Sequence, residues 1–220
     1  MVRRTRAETE ETRAMLLTTA RKVFTERGFA DTSMDELTAQ ANLTRGALYH
    51  HFGDKKGLLA AVVEQIDAET DARLRVISES AQDPWEGFNN RCRAYLEMAL
   101  EPEMQRIVLR DAKAVLGGPS PDSRRHCLNT MQQLIENLMQ RELVVKTDPA
   151  VLTALIYGGL AEAAVWIAQA EDGQGRLKQA KDTLQLLLQG LLIRHSPTTP
   201  NIVHREDSYS DTDISVLLLT

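Results

Sequence analysis

The chain has 220 residues, 43% of them hydrophobic and 26% charged, with a formal net charge of −5. That balance is ordinary for a globular protein and speaks against disorder over the whole length. Aromatics at 5%, with 7 prolines and 12 glycines, favour helices over a turn-rich β-sandwich, and two cysteines without a CxxC pair support neither a disulfide framework nor a structural zinc site.

In chain order, the first stretch is MVRRTRAETEETR. It is basic at its start but has no apolar run behind it, which is not the pattern of a secretory signal. Leu16, Ala20, Val23 and Phe24 then recur at helical spacing, and Gly28 follows as a C-terminal stop. Ser33-Met34-Asp35-Glu36 is a capping box: the Ser33 oxygen accepts from the third backbone N–H and Glu36 reaches back. The helix it opens is short, because Asn42, which tolerates a left-handed turn, arrives after Ala41. Thr44 caps a second short helix, Arg45 to His51, and Asp54 caps a long one from Lys55 to about Ile77.

Asp83-Pro84-Trp85-Glu86 joins an N-cap, a proline at the first helical position and a capping-box partner. Further helices are expected near Glu103 to Leu116, Pro121 to Glu142, Asp148-Pro149 to Ala170, and Arg176 to Ile193, with Asp172-Gly173-Gln174-Gly175 as a break. No strand-period run or internal repeat stands in residues 1–195. The most apolar stretch, Leu152 to Ala168, contains Glu162 and falls short of about 20 apolar residues, so it reads as a core helix and not a membrane span. Residues 196–220 begin polar and rich in Pro, Ser and Asp, the composition of a disordered tail. The expected location is cytoplasmic, with reduced thiols.

The expected fold is all-α, with about nine helices. A three-helix head with an N-terminal arm occupies residues 1–54, and a larger helical domain residues 55–195. Charge follows this division. Residues 1–60 hold 10 Lys/Arg against 8 Asp/Glu, a net of +2, and the remainder nets −7. A basic head on an acidic body fits a nucleic-acid partner for the head alone.

The two short helices meet at Asn42-Leu43-Thr44, the length and punctuation of a helix-turn-helix. Ala47, Leu48 and Phe52 face inward toward Leu37 and Phe24, leaving Thr44, Arg45, Tyr49 and His50 outside. Gly46, inside the second helix, costs about 1 kcal/mol against Ala. Close approach of another backbone, such as a DNA strand, explains that cost, and so does tight helix–helix packing. His50-His51 is not a metal pair: adjacent side chains diverge by about 100° on a helix, with no further ligand at suitable spacing. Cys92 and Cys127, 35 residues apart, read as structural thiols, with a redox sensor as the alternative.

The stretch Ala20…Phe24…Gly28-Phe29…Thr32-Ser33-Met34…Leu37, continuing through Leu43-Thr44-Arg45-Gly46-Ala47-Leu48-Tyr49-His50-His51-Phe52-Gly53-Asp54-Lys55-Lys56…Leu58, resembles the TetR family of transcriptional regulators. The resemblance covers about residues 12–60. It departs at Thr38, where Ala is common, and at Asn42, where Gly is common. It implies that Thr44, Arg45 and Gly46 meet base edges in the major groove, with Arg45 bidentate to guanine. It implies phosphate contacts from Thr32, Ser33, Tyr49, His50 and Lys55, and it allows Arg3, Arg4 and Arg6 as a minor-groove arm. The implied partners are a palindromic double-stranded operator, a second copy of the chain and a small-molecule effector. No cofactor, metal or membrane is implied.

In the body, Trp85, Phe88, Tyr95, Met131, Tyr157 and Trp166 exceed what a motif requires, and core filling accounts for most. Arg110, Asp111, His126 and Glu162 sit in otherwise apolar stretches. They are explained by an internal ion pair or by an effector cavity with a few convergent polar groups, and all ten are candidate cavity residues. Gly158-Gly159 with Ala161, Ala163 and Ala164 make one late helix smooth, and the next is Leu-rich; two such helices from each of two chains make a four-helix interface. No Ser/His/Asp set, paired carboxylates or phosphate-cradling loop points to an enzyme. The expected function is a repressor released by its ligand, with a ligand-independent regulator or an activator on the same scaffold as the alternative.

Overall fold

The computed structural model describes residues 6–193; Arg3, Arg4 and the segment 196–220 lie outside the described residues. α1 (Arg6–Arg27), α2 (Met34–Gln40) and α3 (Arg45–Phe52) form the head. α4 (Lys55–Glu79) leaves it and enters the body, followed by α5 (Pro84–Met98). α6 is wound in two ways: a π-helical stretch, Met104–Ala112, continues without a break into an α-helical turn, Lys113–Leu116. α7 (Pro121–Gln140), α8 (Pro149–Ala168) and α9 (Gly173–Gln189) complete the body. Among the described residues the only extended pairing is one antiparallel bridge, Val144 with Leu192, which ties the α7–α8 connection to the chain after α9.

The helices start where side chains can satisfy their orphan N–H groups. Ser33 accepts from Glu36 N, Thr44 from Ala47 N, Asp54 from Gly57 N, Asp83 from Glu86 N, and Asp148 from Ala150 N and Val151 N. Pro follows the cap in α5, α7 and α8, where its missing N–H costs nothing. Asp172, expected inside a break, is instead the cap of α9 and accepts from Gly175 N. A Cβ at Gly175 would collide with that carboxylate, so the second glycine serves the cap and does not end a helix. α7 stops at Gln140, and Glu142 takes the left-handed conformation (φ 57°) without being glycine.

The head core gathers Leu16, Ala20, Val23 and Phe24 of α1, Leu37 of α2, Leu48 of α3 and Leu58, Leu59 and Val62 of α4. Ile107 and Ala112 of α6 are buried in the same cluster, so a body helix is part of the head's core. The body core collects Phe88, Cys92 and Leu96 of α5, Ile135 and Leu138 of α7, Leu160 and Ile167 of α8, and Leu177 and Leu188 of α9. Among the described residues, α8 is the one helix long and apolar enough by length and composition to cross a membrane. Its Leu160, Ala164, Val165 and Ile167 are buried inside the protein. Its other face carries Val151, Leu155 and Trp166 in the open.

Candidate nucleic-acid interface and interior cavity

The sequence builds the head's exposed ridge at α3. Asn42 turns left-handed at φ 52°, and Leu43 N reaches back to the Thr38 carbonyl at 2.9 Å, which closes the turn between α2 and α3. The Thr38 hydroxyl finds the Met34 and Asp35 carbonyls at 3.1 and 3.0 Å, so its departure from the family pattern is absorbed locally. Leu48 is fully buried, and Phe52 packs on the same core. Thr44, Arg45, Gly46, Tyr49 and His50 remain exposed on one ridge.

Arg45 is not idle on that ridge. Its Nε and Nη2 both donate to the Asp35 carboxylate, a bidentate ion pair between α3 and α2. The same fork geometry matches guanine O6/N7. Gly46 has no packing reason within the chain: an added Cβ would meet only the Thr44 oxygen, at an ordinary 3.8 Å. Tight helix–helix packing therefore does not account for it.

The residues expected at phosphates divide. Ser33 is exposed at the start of α2, its hydroxyl accepting from Glu36 N at 3.1 Å. Thr32 is 2% exposed, and its hydroxyl donates inward to the Gly28 carbonyl at 2.7 Å, so that hydroxyl does not face the outer surface. Lys55 also points into the head: its Nζ donates to the Phe29 and Thr32 carbonyls, each at 2.7 Å, and lies 4.2 Å from the Phe29 ring centroid. The N-terminus of α4 beside it is already capped by Asp54. Of the proposed arm, Arg6 is the first, exposed residue of α1.

The body holds a partly open cavity of about 280 Å³ between α4, α5, α6, α7 and α8. Of the ten residues expected to line it, Tyr95, Met131, Tyr157 and Glu162 do so. Phe88 is instead sealed in the body core with Trp85 stacked on it at 6.3 Å. Trp166 is on the outer face of α8, with the Arg176 guanidinium 4.6 Å from its ring centroid.

The four charged residues do not form one ion pair. Arg110 is exposed. Asp111 accepts from Phe29 N at 2.7 Å. His126 meets Asp71 at 3.4 Å outside the cavity lining. Glu162, at the cavity edge, stands 4.0 Å from Lys113.

The polar groups that do converge were not legible as a motif. Asp71 on α4 is buried and meets Arg91 of α5 at 2.8 Å and Arg75 at 2.9 Å. Burial pushes its carboxyl up, but the hydrogen bonds from Arg91, Arg75 and His126 outweigh burial and hold it below the ordinary carboxylate range. One turn earlier, Asp67 accepts from the Ser123 hydroxyl at 2.7 Å; burial lifts its carboxyl, and the nearby negative Glu64 adds to this. Both thiols line the cavity as well. Burial pushes Cys92 up to about 12, and it raises Cys127 too, which leaves protonated, weakly nucleophilic thiols. The only signal in the sequence was the i, i+4 spacing of Asp67 and Asp71, which puts them one turn apart on α4.

A compact trihelical head that presents the second helix of a helix-turn-helix, on a helical body with an interior cavity, defines a DNA-binding regulator. Residues 16–62 match the family description "Bacterial regulatory proteins, tetR family", and residues 85–191 match "Tetracyclin repressor-like, C-terminal domain". The crystal structure of a TetR-family transcriptional regulator from Pectobacterium atrosepticum is 72% identical, covers 87% of this chain and 99% of its own, and superposes with a TM-score of 0.82. The chain belongs to the TetR family of transcriptional regulators. It is also similar to the HTH-type transcriptional regulator TtgR of Pseudomonas putida, 40% identical over 83 residues, which is 38% of this chain and only 39% of that protein. The HTH-type transcriptional regulator AcrR of Shigella flexneri is 26% identical over 91% of this chain and 98% of its own length.

Proposed function

We propose that the protein is a repressor that binds a palindromic operator as a homodimer and is released by a small molecule bound in the body cavity. The observation that carries this reading is the double allegiance of α6. Met104, Val108 and Leu109 line the cavity. Ile107 and Ala112 are buried in the head core, Asp111 holds the Phe29 amide, and Arg106 donates to the Arg27 carbonyl. Arg21 adds a fork to Glu103, just before α6, and bonds Glu69 of α4. A ligand that displaces α6 thereby moves the α1–α2 corner.

On DNA, Arg45 exchanges Asp35 for a guanine edge. Ser33, Tyr49 and His50 meet phosphates, and Lys55 acts from behind by fixing the backbone of the α1–α2 corner. Two copies are needed, with their α3 helices about 34–36 Å apart or a multiple of that. The bare face of α8 and α9 supports the pairing: Leu155, Leu186 and Leu187 are 69, 71 and 67% exposed. A Cβ at Gly158 or Gly159 would meet nothing within 4 Å, which leaves room for a second chain. Release then follows as a population shift: the ligand favours a head spacing that no longer spans the two half-sites.

The test is fluorescence anisotropy with the intergenic DNA upstream of the gene, paired with analytical ultracentrifugation. The expected result is one dimer per site with salt-sensitive, sequence-specific binding. A monomer at micromolar concentration, or equal affinity for scrambled DNA, would sink the reading.

A further inference from the structure

The cavity carries one carboxylate without a counter-charge. Its acidic lining residues are Asp67, Asp71 and Glu162, and its basic ones are Arg91 and Lys113. Arg91 is engaged by Asp71 at 2.8 Å in a pair almost closed to solvent. Asp71 is further held by Arg75, which does not line the cavity. Lys113 faces Glu162 at 4.0 Å, both well exposed. Among the described residues no cationic side chain bonds Asp67; the Ser123 hydroxyl does.

The surroundings of Asp67 narrow what can answer it. Tyr95 and Tyr157 stand in the same lining with Leu74, Met104 and Leu160. Burial raises the Tyr95 hydroxyl, with Tyr157 and Asp67 adding to it, and Tyr95, Tyr157 and Asp67 all line the one cavity. A carboxylate against an apolar wall is costly unless a partner ion meets it. An anionic ligand would be repelled by the unpaired charge. A neutral one would dry the carboxylate without compensating it. A cation gains the carboxylate and, over a tyrosine ring, the attraction of the ring face. The volume of about 280 Å³ is at the small end of ligand sites, which run from about 300 to 1,000 Å³.

We propose that this cavity takes a small lipophilic monocation, an organic ammonium ion with an aromatic or branched apolar group, its charge on Asp67 and its head between Tyr95 and Tyr157. This rests on reading the cavity as the effector site.

The experiment is calorimetric titration of the full chain with two cation–neutral pairs: benzyltrimethylammonium against 2,2-dimethylpropylbenzene, and 2-phenylethylammonium against 2-phenylethanol. The cations are expected to bind about tenfold tighter than their neutral partners, roughly 1.4 kcal/mol. Asp67→Asn, with its helical circular dichroism intact, is expected to erase that preference while the neutral compounds bind as before. The proposal is overturned if the neutral compounds bind wild type as tightly, if neither cation binds, or if the preference survives Asp67→Asn. The wild-type comparison stands whether or not the variant folds. Operator anisotropy with each probe separates the two readings. Asp67-dependent cation binding without DNA release keeps the ligand class and removes the effector role. Release by a neutral compound, with no cation bound, does the reverse.

Discussion

The Asp111 carboxylate of α6 accepts a hydrogen bond from the Phe29 amide at 2.7 Å, across 82 residues of sequence. This bond joins the body to the corner at which α1 turns toward α2. Hydrogen bonds with a charged partner contribute about 1.5–3 kcal/mol, and partial exposure puts this one at the lower end. Asp111→Ala is expected to lower thermal stability and to speed amide hydrogen exchange at Phe29. Asp111→Asn retains an oxygen acceptor and should restore most of both. Unchanged exchange at Phe29 in the alanine variant would rule the link out as a coupling element.

Arg45 and Asp35 form an exposed ion pair that, on the proposed reading, DNA opens. Arg45→Ala should lose about 1–3 kcal/mol of discrimination per half-site while non-specific binding persists. Asp35→Ala removes a negative charge near the phosphates and the buttress of the guanidinium. It should raise affinity for scrambled DNA and narrow the specific-to-scrambled ratio. Both are read by anisotropy at two salt concentrations, since the non-specific part falls steeply with salt.

Gly46 separates stability from function. It lies in the first turn of α3 with open space where a Cβ would stand. Gly46→Ala should stabilise the head, by up to about 1 kcal/mol, and weaken operator binding. A variant that melts higher and binds as well as wild type would show that nothing approaches this backbone.

Asp71 and Arg91 are a buried pair, so removing one partner strands the other. Asp71→Leu or Arg91→Leu alone should cost about 3–5 kcal/mol, and the double replacement much less. Asp71's folded-state pKa is depressed, so its stabilisation is present above the unfolded value of about 4 and is lost as the pH falls through the folded value. Asp67 has the opposite sign. Burial raises its folded pKa, so its contribution is present below the unfolded value and is lost as the pH rises through the folded one. Asp67→Asn should therefore raise the melting temperature at pH 7, with the difference closing below about pH 4.

Sequence reasoning succeeded where the cause of a structure lies within four residues of its effect. Ser33, Asp54, Asp83 and Asp148 cap the helices they precede, and Asn42 turns left-handed as its residue type allows. It failed where partners are remote. Nothing near Thr32 announces that its hydroxyl turns inward to Gly28, and nothing near Lys55 announces two carbonyls 23 and 26 residues earlier. Asp67 needs Ser123, and Asp71 needs Arg91, each on another helix. The π winding of Met104–Ala112 is also silent in the periodicity, because an apolar pattern of this length fits either winding.

That winding has a consequence for building hybrids. A π-helix closes its bonds over one residue more per turn than an α-helix, so Met104–Ala112 holds its ends at a register that an α-helix of equal count would not reproduce. One residue deleted between Pro102 and Asp111 would swing Asp111 by roughly a quarter-turn around the axis, away from Phe29. A chimera that grafts this head onto a relative's body should transmit a ligand signal only when the number of residues in that segment is preserved, whatever their identity.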